Sequence, residues 1–294
     1  MSLKSIIAHY VLEECWNVGF SESTLESVLE TGDLGTITWL KHEYHDRWFA
    51  DPFILEVSEE TILLVVEEFL YSQDRGRIAL LTIRRKDYQL LSNQLLIEEP
   101  THLSFPFVFH YADKTYIIPE NGASGQLKLY LYDPALQQCR YVKTLIEESL
   151  ADAVIADVGT ENFLFATAYN EICPDQLFQY AQSDGVYCPI KTVNFATRNA
   201  RNAGAFFSFK GKVYRPAQDC SSRYGGSFEI QEYNKEKDEF NTIWHFSPVD
   251  PVYNVGIHTF NHNKGVSVVD GCRYRRPLLA KLYLYLSSLR HLNP

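Results

Sequence analysis

The stretch Pro52-Phe-Ile-Leu-Glu-Val57 introduces a pattern that recurs four more times along the chain: a short apolar run, a polar turn and a second apolar run. The starts of these runs lie 54, 47, 51 and 52 residues apart. A regular period in this range indicates a repeat architecture in which each repeat is one supersecondary unit. The other four runs are Pro106-Phe-Val-Phe-His-Tyr111, Ala153-Val-Ile-Ala-Asp-Val158, Gly204-Ala-Phe-Phe-Ser-Phe209 and Gly256-Ile-His-Thr-Phe-Asn261.

Most periods hold two further strand-like segments, such as Leu127 to Tyr132, or Phe228 to Tyr233 and Phe240 to Trp244. The 19 Tyr and 18 Phe beside a single Met also favour strands over helices. A four-stranded antiparallel meander repeated at this period is typical of a β-propeller, because radial repetition protects the sheet edges. The sequence therefore predicts an all-β fold: one five-bladed β-propeller over residues 1–294, with first strands near 52, 106, 153, 204 and 256. A β-sandwich with irregular insertions is the alternative.

The last repeat is too short to supply four strands of its own. Only 23 residues follow Gly271, and they end in the apolar stretch Leu278 to Leu289. Its outer strands must therefore come partly from elsewhere. The N-terminal segment, including Ile6 to Val11 and Thr36 to Leu40, is the expected donor, and it would close the ring without a covalent bond.

Charge and composition exclude several function classes. The formal net charge of −10 argues against a broad nucleic-acid-binding face, and it disfavours a membrane-surface role. No window approaches the ~18 apolar residues of a membrane span, and Met1 to Ser5 lack the features of a signal peptide. The six cysteines form no C-x-x-C pair and no zinc-like cluster with histidine. We expect a cytoplasmic protein with reduced thiols, without a metal or cofactor and without nucleic-acid partners.

Acidic residues recur at the same two places in the repeats. Asp51 and Asp152 precede first strands, and Glu67, Glu68, Glu120, Asp219 and Asp270 lie at the ends of second strands. In a propeller these two positions face a shared axial pocket. An isolated Asp before Pro is usually a turn residue, but recurrence in several repeats favours a site.

Several of these segments resemble one family. They include Trp48-Phe-Ala-Asp-Pro-Phe-Ile-Leu55, Ile118-Pro-Glu120 and, most specifically, Tyr214-Arg-Pro-Ala-Gln-Asp-Cys220. Over about residues 40–275 the chain is similar to the five-bladed module at the N-terminus of glucosamine inositolphosphorylceramide transferases. That module in turn is similar to glycoside hydrolase family 43. The resemblance implies chemistry on a sugar or nucleotide sugar.

The resemblance to family 43 also implies residue roles. Asp51 matches the general base and Asp152 the carboxylate that tunes the pKa of the acid, whereas Arg201-Asn202-Ala203 stands where the general acid belongs. Without that acid the leaving oxygen loses its proton donor, and such assistance is typically worth ~10²–10⁴ in rate. Glu120 and Glu68 are the candidate replacements.

Basic and aromatic side chains complete the candidate binding set. Arg201, Arg215 and Arg223, with Tyr224 alongside, suit an anionic sugar or a phosphate, because guanidinium groups bind such oxygens bidentately. They would equally serve as structural partners of Asp51, Asp152 and Asp219. His102 and His258 would hydrogen-bond a sugar; no two-histidine spacing supports a metal. Asp219 and Asp270 are the remaining candidates for substrate binding.

Three hypotheses follow. The first is a propeller that recognises a carbohydrate, sugar phosphate or nucleotide sugar and is accessory to glycan synthesis or modification. The second is a glycoside hydrolase with Asp51 as base and Glu120 or Glu68 as acid. The third is a protein-interaction propeller with a vestigial pocket. Because related modules are often fused to another domain, a separately encoded transferase is a candidate partner.

Overall fold

The computed structural model describes residues 7–8, 10–158 and 161–290, and within these ranges twenty strands form five antiparallel sheets of four strands each. Each sheet is one blade of a propeller, and the strands are numbered along the chain. The first two strands belong to the last blade; they are β1 (Glu14–Ser21) and β2 (Ile37–Trp39).

Four blades are continuous in sequence. Blade one consists of β3 (Arg47–Val57), β4 (Thr61–Leu70), β5 (Arg75–Arg84) and β6 (Gln89–Ile97). Blade two consists of β7 (Ser104–Tyr111), β8 (Lys114–Glu120), β9 (Leu127–Asp133) and β10 (Gln138–Ile146). Blade three consists of β11 (Leu150–Val158), β12 (Glu161–Ala168), β13 (Gln176–Ser183) and β14 (Val186–Asn194). Blade four consists of β15 (Phe207–Phe209), β16 (Lys212–Asp219), β17 (Ser227–Asn234) and β18 (Glu239–Phe246).

Blade five closes the ring with strands from both parts of the chain. Its order is β19 (Phe260–Asn263), β20 (Val266–Tyr274), β1 and β2. β1 pairs with β20 along its whole length, from Glu14 opposite Tyr274 to Ser21 opposite Ser267. The predicted closure by N-terminal strands is therefore confirmed.

The expected donor segments were only partly right. Thr36 to Leu40 contains β2, but Ile7, Ala8, Tyr10 and Val11 are helical, while Ile6 and His9 lie outside the described residues. The strand that pairs with β20 begins later, at Glu14. It contains the buried apolar residues Val18 and Phe20, which pack against blade one.

Besides these N-terminal helical residues, three helical elements accompany the blades in the described part of the chain. Helix α1 (Leu25–Thr31) is capped by Thr24, whose hydroxyl accepts the Ser27 N–H, and it ends at Gly32 with a φ of 68°. A 3₁₀ turn spans Gly122–Ser124. Helix α2 (Pro277–Arg290) follows β20 and accounts for most of the apolar stretch near the C-terminus. No helix in the described part of the chain has the length and apolar character needed to cross a membrane.

The first strands of blades one, two and three share a bulge. The ladder to the second strand slips between Ala50 and Phe53, between Ser104 and Phe107, and between Ala151 and Val154. The bulged residues Asp51, Phe105 and Asp152 have φ values of 50°, 40° and 50°. Non-glycine residues seldom adopt this region, although Asp tolerates it better than most. The bulge sets the geometry of the axial residues.

Candidate functional site

The three bulges turn equivalent backbone N–H groups toward carboxylates of neighbouring blades. The Asp51 N–H donates to Asp270 Oδ2 at 3.2 Å, and the Phe105 N–H donates to Asp51 Oδ2 at 3.0 Å. The Asp152 N–H donates to Glu120 Oε2 at 3.1 Å. Side chains predicted to share the axis thus lie together there, and each links one blade to another.

Asp51, His258 and Asp270 form the first axial cluster. His258 Nδ1 lies 2.7 Å from Asp270 Oδ2, and its Nε2 lies 3.6 Å from Asp51 Oδ1. Although burial alone lowers the pKa of His258, Asp270 and Asp51 raise it to about 9. Burial raises the pKa of Asp51 well above its ordinary value, whereas His258 outweighs burial and lowers the pKa of Asp270. The cluster therefore sets an imidazolium between Asp270, whose charged form it favours, and Asp51, whose charged form burial disfavours.

The same three residues could in principle act as metal ligands, because one ligand atom from each lies within 4.8 Å of the others. A metal requires a neutral imidazole. Here the His258 ring is held in its protonated form between two acidic side chains. A metal bound by this cluster would therefore have to displace the imidazole proton.

Arg201, Asp152 and Glu120 form the second axial cluster. Arg201 Nε donates to Asp152 Oδ2 at 2.6 Å, and Arg201 Nη2 donates to Glu120 Oε2 at 3.1 Å. All three side chains are buried. Burial and the neighbouring Asp152 raise the pKa of Glu120 to about 7, although Arg201 opposes this shift. The Arg201 guanidinium thus holds both carboxyls of this cluster.

Tyr224 separates both clusters from solvent. Its ring lies 5.1 Å from the Arg201 guanidinium and meets the His258 ring edge-on at 5.8 Å. Tyr224 is 38% exposed, whereas Arg201 and His258 are buried. On its other side His258 packs against Trp16 at 4.3 Å. The partly exposed Tyr224 ring, with Arg201 and His258 beside it, therefore marks the solvent-facing end of the axis, termed the mouth.

His102 and Glu67 lie beside these clusters. His102 Nε2 is 3.2 Å from Glu67 Oε1, and the Gly76 N–H donates to His102 Nδ1 at 2.9 Å. Because Nδ1 accepts a hydrogen bond, the ring carries its proton on Nε2, facing the carboxylate. The half-buried ring is therefore oriented from both sides.

Buried polar atoms without a hydrogen-bond partner concentrate in this region. Among the described residues they include Asp51 Oδ1, Thr167 Oγ1 and Gln218 Oε1. Thr167 and Gln218 end the second strands of blades three and four, the position that Glu120 occupies in blade two. Most buried polar groups find partners, so these atoms leave hydrogen-bonding capacity at the axis.

Four sequence-predicted site residues lie apart from the axial clusters. Glu68 binds Arg47 and Arg77, each at 2.7 Å, and Asp219 binds His245 at 2.9 Å. Each neighbours an axis-facing residue, Glu67 or Gln218, and successive strand residues point to opposite faces. Arg215 donates to Gln231, Asn202 and main-chain carbonyls, and Arg223 pairs with Glu14.

Trp16 was not anticipated as part of the site. It belongs to β1 and reaches the axis only because β1 is inserted into blade five beside β20. A repeat-based interpretation gives the N-terminal strand no equivalent position. Its alternation of apolar and polar residues is the signal that would have marked it as a strand.

Solved structures similar to this chain include two glycosidases. An exo-β-1,3-galactanase from Phanerochaete chrysosporium, solved with β-1,3-galactotriose, is 12% identical with a TM-score of 0.55 and covers 81% of this chain and 65% of its own. A GH43 β-xylosidase/α-arabinofuranosidase from a compost metagenome, solved with xylotriose, is 8% identical with a TM-score of 0.56. The match covers 80% of this chain and 93% of the enzyme. At these identities the likeness concerns the fold.

Sequence relatives are more specific. Glucosamine inositolphosphorylceramide transferase 1 from Oryza sativa subsp. indica is 28% identical over 246 residues, which are 79% of this chain and 31% of the rice protein. The Arabidopsis thaliana protein of the same name is 27% identical over 209 residues, which are 67% of this chain and 27% of the Arabidopsis protein. The chain thus spans less than a third of these relatives. Residues 34–277 match the family described as glucosamine inositolphosphorylceramide transferase 1, N-terminal, and the chain belongs to that family.

Proposed function

We propose that this protein is a carbohydrate-recognising propeller without hydrolytic activity, accessory to glycan synthesis or modification. The observation that carries the proposal is Arg201. It stands where a family 43 enzyme has its acid, and it binds both Asp152 and Glu120. Carboxyls held by a guanidinium and by backbone N–H groups are not placed to exchange protons with a glycosidic oxygen.

Recognition would use the mouth of the axis. Tyr224 offers an exposed ring above Arg201 and His258, and aromatic faces are suited to stacking on sugar rings. The names of the relatives refer to a sugar-containing lipid, and two solved neighbours hold oligosaccharides. Because the chain matches only 31% of the rice protein, the transfer reaction in that name is not assigned to this segment.

One observation favours hydrolysis as a second candidate. The pKa of Glu120 is raised to about 7, which suits a general acid near neutral pH. The proposed base has the opposite problem, because burial raises the pKa of Asp51 and so disfavours its ionised form. A base must be ionised to activate water. Asp51 is therefore poorly suited to act as the base that Glu120 would need as its partner.

The test combines binding and turnover on the same preparation. Calorimetric titration with neutral and anionic oligosaccharides is expected to show binding, and nitrophenyl glycosides are expected to show no release of nitrophenol. Tyr224→Ala should weaken binding about tenfold through loss of the stacking face. Tyr111→Ala, at a 71% exposed tyrosine at the end of β7, is the matched control and should bind as wild type.

Two results would replace the proposal. Turnover that disappears in Asp51→Asn would establish the hydrolase. Absence of both turnover and sugar binding would favour a protein-interaction propeller with a vestigial pocket. An accessory role also requires a catalytic partner, and we propose a separately encoded transferase; affinity purification of the tagged chain from its native cells should recover one.

A further inference from the structure

Helix α2 presents an apolar face to solvent. Leu278, Leu282 and Leu286 recur at intervals of four, which places them on one side of the helix, and Leu278 is 83% exposed. Of the helix residues whose burial is described, the fully buried one is Ala280. A surface helix normally turns its apolar side inward and its polar side outward. Here leucines face solvent instead, so the leucine face fits an apolar surface outside the chain.

The same segment is basic in a protein that is acidic overall. Residues 271–294 contain Arg273, Arg275, Arg276, Lys281 and Arg290 but no Asp or Glu. Arg275 and Arg276 pair with Glu13. Within residues 7–8, 10–158 and 161–290, neither Arg273 nor Lys281 has a carboxylate partner. Two cations therefore remain beside the leucine face.

A groove continues this surface onto the blade. Its volume is about 670 Å³, and α2 forms one wall with Lys281 and Leu284. The opposite wall includes Arg273 and the exposed Val252. Arg273 Nε is buried and has no hydrogen-bond partner among the described residues. Apolar and cationic groups are thus interleaved over one continuous surface.

We propose that α2 and this groove dock on the surface of an anionic phospholipid bilayer, with the helix in the plane of the interface. Leucines inserted among lipid chains and Lys or Arg at the headgroups are the combination that such helices use. At ~1.5 Å per residue, 14 residues extend ~21 Å, which is less than the ~30 Å hydrocarbon core. The helix therefore lies on the bilayer rather than across it.

Charge favours the bilayer over a second copy of the chain. Two copies meeting through α2 would bring like charges together, and the helix offers no carboxylate to pair them. The net charge of −10 does not oppose local docking, because charges beyond the Debye length of ~8 Å are screened at physiological salt. Whole-chain charge alone had disfavoured a membrane surface, and this local segment is the exception.

Vesicle flotation of the whole chain tests the proposal. Phosphatidylcholine vesicles with about one-third phosphatidylserine should carry the protein upward, and pure phosphatidylcholine vesicles should carry far less. Leu282→Asp should reduce the bound fraction at least about tenfold. Arg273→Gln with Lys281→Gln should reduce it severalfold and weaken its dependence on salt. Leu136→Asp, at an exposed leucine in the β9–β10 turn, is the matched control.

Circular dichroism should show all variants folded, because the substituted side chains are exposed or only partly buried. Equal flotation of wild type and Leu282→Asp would overturn the proposal, as would no flotation on anionic vesicles. A dimer that Leu282→Asp dissociates, without vesicle binding by wild type, would assign the surface to a second copy. Sugar binding by the Tyr224 site is measured separately, so failure of one proposal leaves the other standing.

Discussion

At the scale of single residues, the axis contains two clusters, each with one cationic side chain between two acidic ones. His258 lies between Asp270 and Asp51, and Arg201 lies between Asp152 and Glu120. In each cluster one cation meets two carboxyls, and one of those carboxyls has a raised pKa. Burying an unpaired charge is costly. The raised pKa values of Asp51 and Glu120 disfavour a second negative charge in each cluster and so bring both clusters closer to neutrality.

This arrangement predicts a pH dependence of stability. The pKa of His258 is raised to about 9 in the folded protein, above its ordinary 6.5. The resulting stabilisation is fully present below pH 6.5 and is lost as the pH rises through 9. The free energy of unfolding, measured with urea, should therefore fall by up to about 3 kcal/mol across this window.

Substitution of the histidine identifies the source of that slope. His258→Gln should flatten it, and His110→Gln, at an exposed histidine of β7, should leave it unchanged. Glu67 raises the pKa of His102 against its burial, but the Gly76 N–H that donates to Nδ1 opposes a second proton on that ring, so only a small residual slope is expected in His258→Gln. A full slope in that variant would show that His258 is not protonated between the two acids.

At the scale of elements, four of the hairpin turns that the structure describes have two successive residues with positive φ. Three of them place Gly second: Asp184-Gly185, Lys210-Gly211 and Lys264-Gly265. The β7–β8 turn instead has Ala112 and Asp113, with φ values of 48° and 58°. Two-residue turns of this kind favour Gly at the second position, because a side chain is strained there.

Asp113→Gly should therefore stabilise the protein by about 1 kcal/mol. The left-handed conformation costs an L-residue roughly 1–2 kcal/mol, and the larger conformational entropy that Gly loses on folding cancels part of the gain. Asp113→Ala retains the strained conformation and serves as control. Thermal and urea unfolding measure both. Equal gains in the two variants would attribute the effect to the lost carboxylate rather than to the backbone.

The sequence predicted the blades better than the lengths of their first strands. The runs beginning at Gly204 and Gly256 form strands only at Phe207–Phe209 and Phe260–Asn263. A Cβ on Gly204 would lie 2.0 Å from the Phe260 carbonyl oxygen, so the chain there passes directly against blade five. Contacts between blades, which a single repeat does not display, shorten these strands.

The candidate site shows the same division. Repeat phase brings Asp51, Glu120, Asp152 and Asp270 to one axis, and that much follows from spacing. Which of two neighbouring acids faces the axis depends on strand register, and this separates Glu67 from Glu68. The partners of the acids depend on loops of other blades, which no local pattern specifies.

At the scale of the whole molecule, the ring depends on one non-covalent seam. β1 and β2 form the outer half of blade five, so the two ends of the propeller meet along the β1–β20 ladder. The apolar stretch near the C-terminus forms α2 and adds no strand to blade five. Periodicity alone does not separate a short apolar strand from a helix. The position beside β20 in blade five is occupied by β1.

Phe20 tests how much stability this seam provides. Its ring is fully buried, stacks on Tyr88 of blade one at 4.1 Å and packs with Leu40, Ile54 and Ile62. Phe20→Ala should lower the free energy of unfolding by about 3–5 kcal/mol, the usual cost of removing a buried aromatic ring. Leu136→Ala, at a 64% exposed leucine remote from the seam, should change it by less than about 0.5 kcal/mol.

Because β1 joins blade five to blade one, opening the seam also exposes the edge of β20, and the Phe20→Ala protein should aggregate during heating. Urea titration followed by circular dichroism measures the loss, and light scattering measures the aggregation; a loss below about 1 kcal/mol without aggregation would mean that the blades hold together without their closing strand.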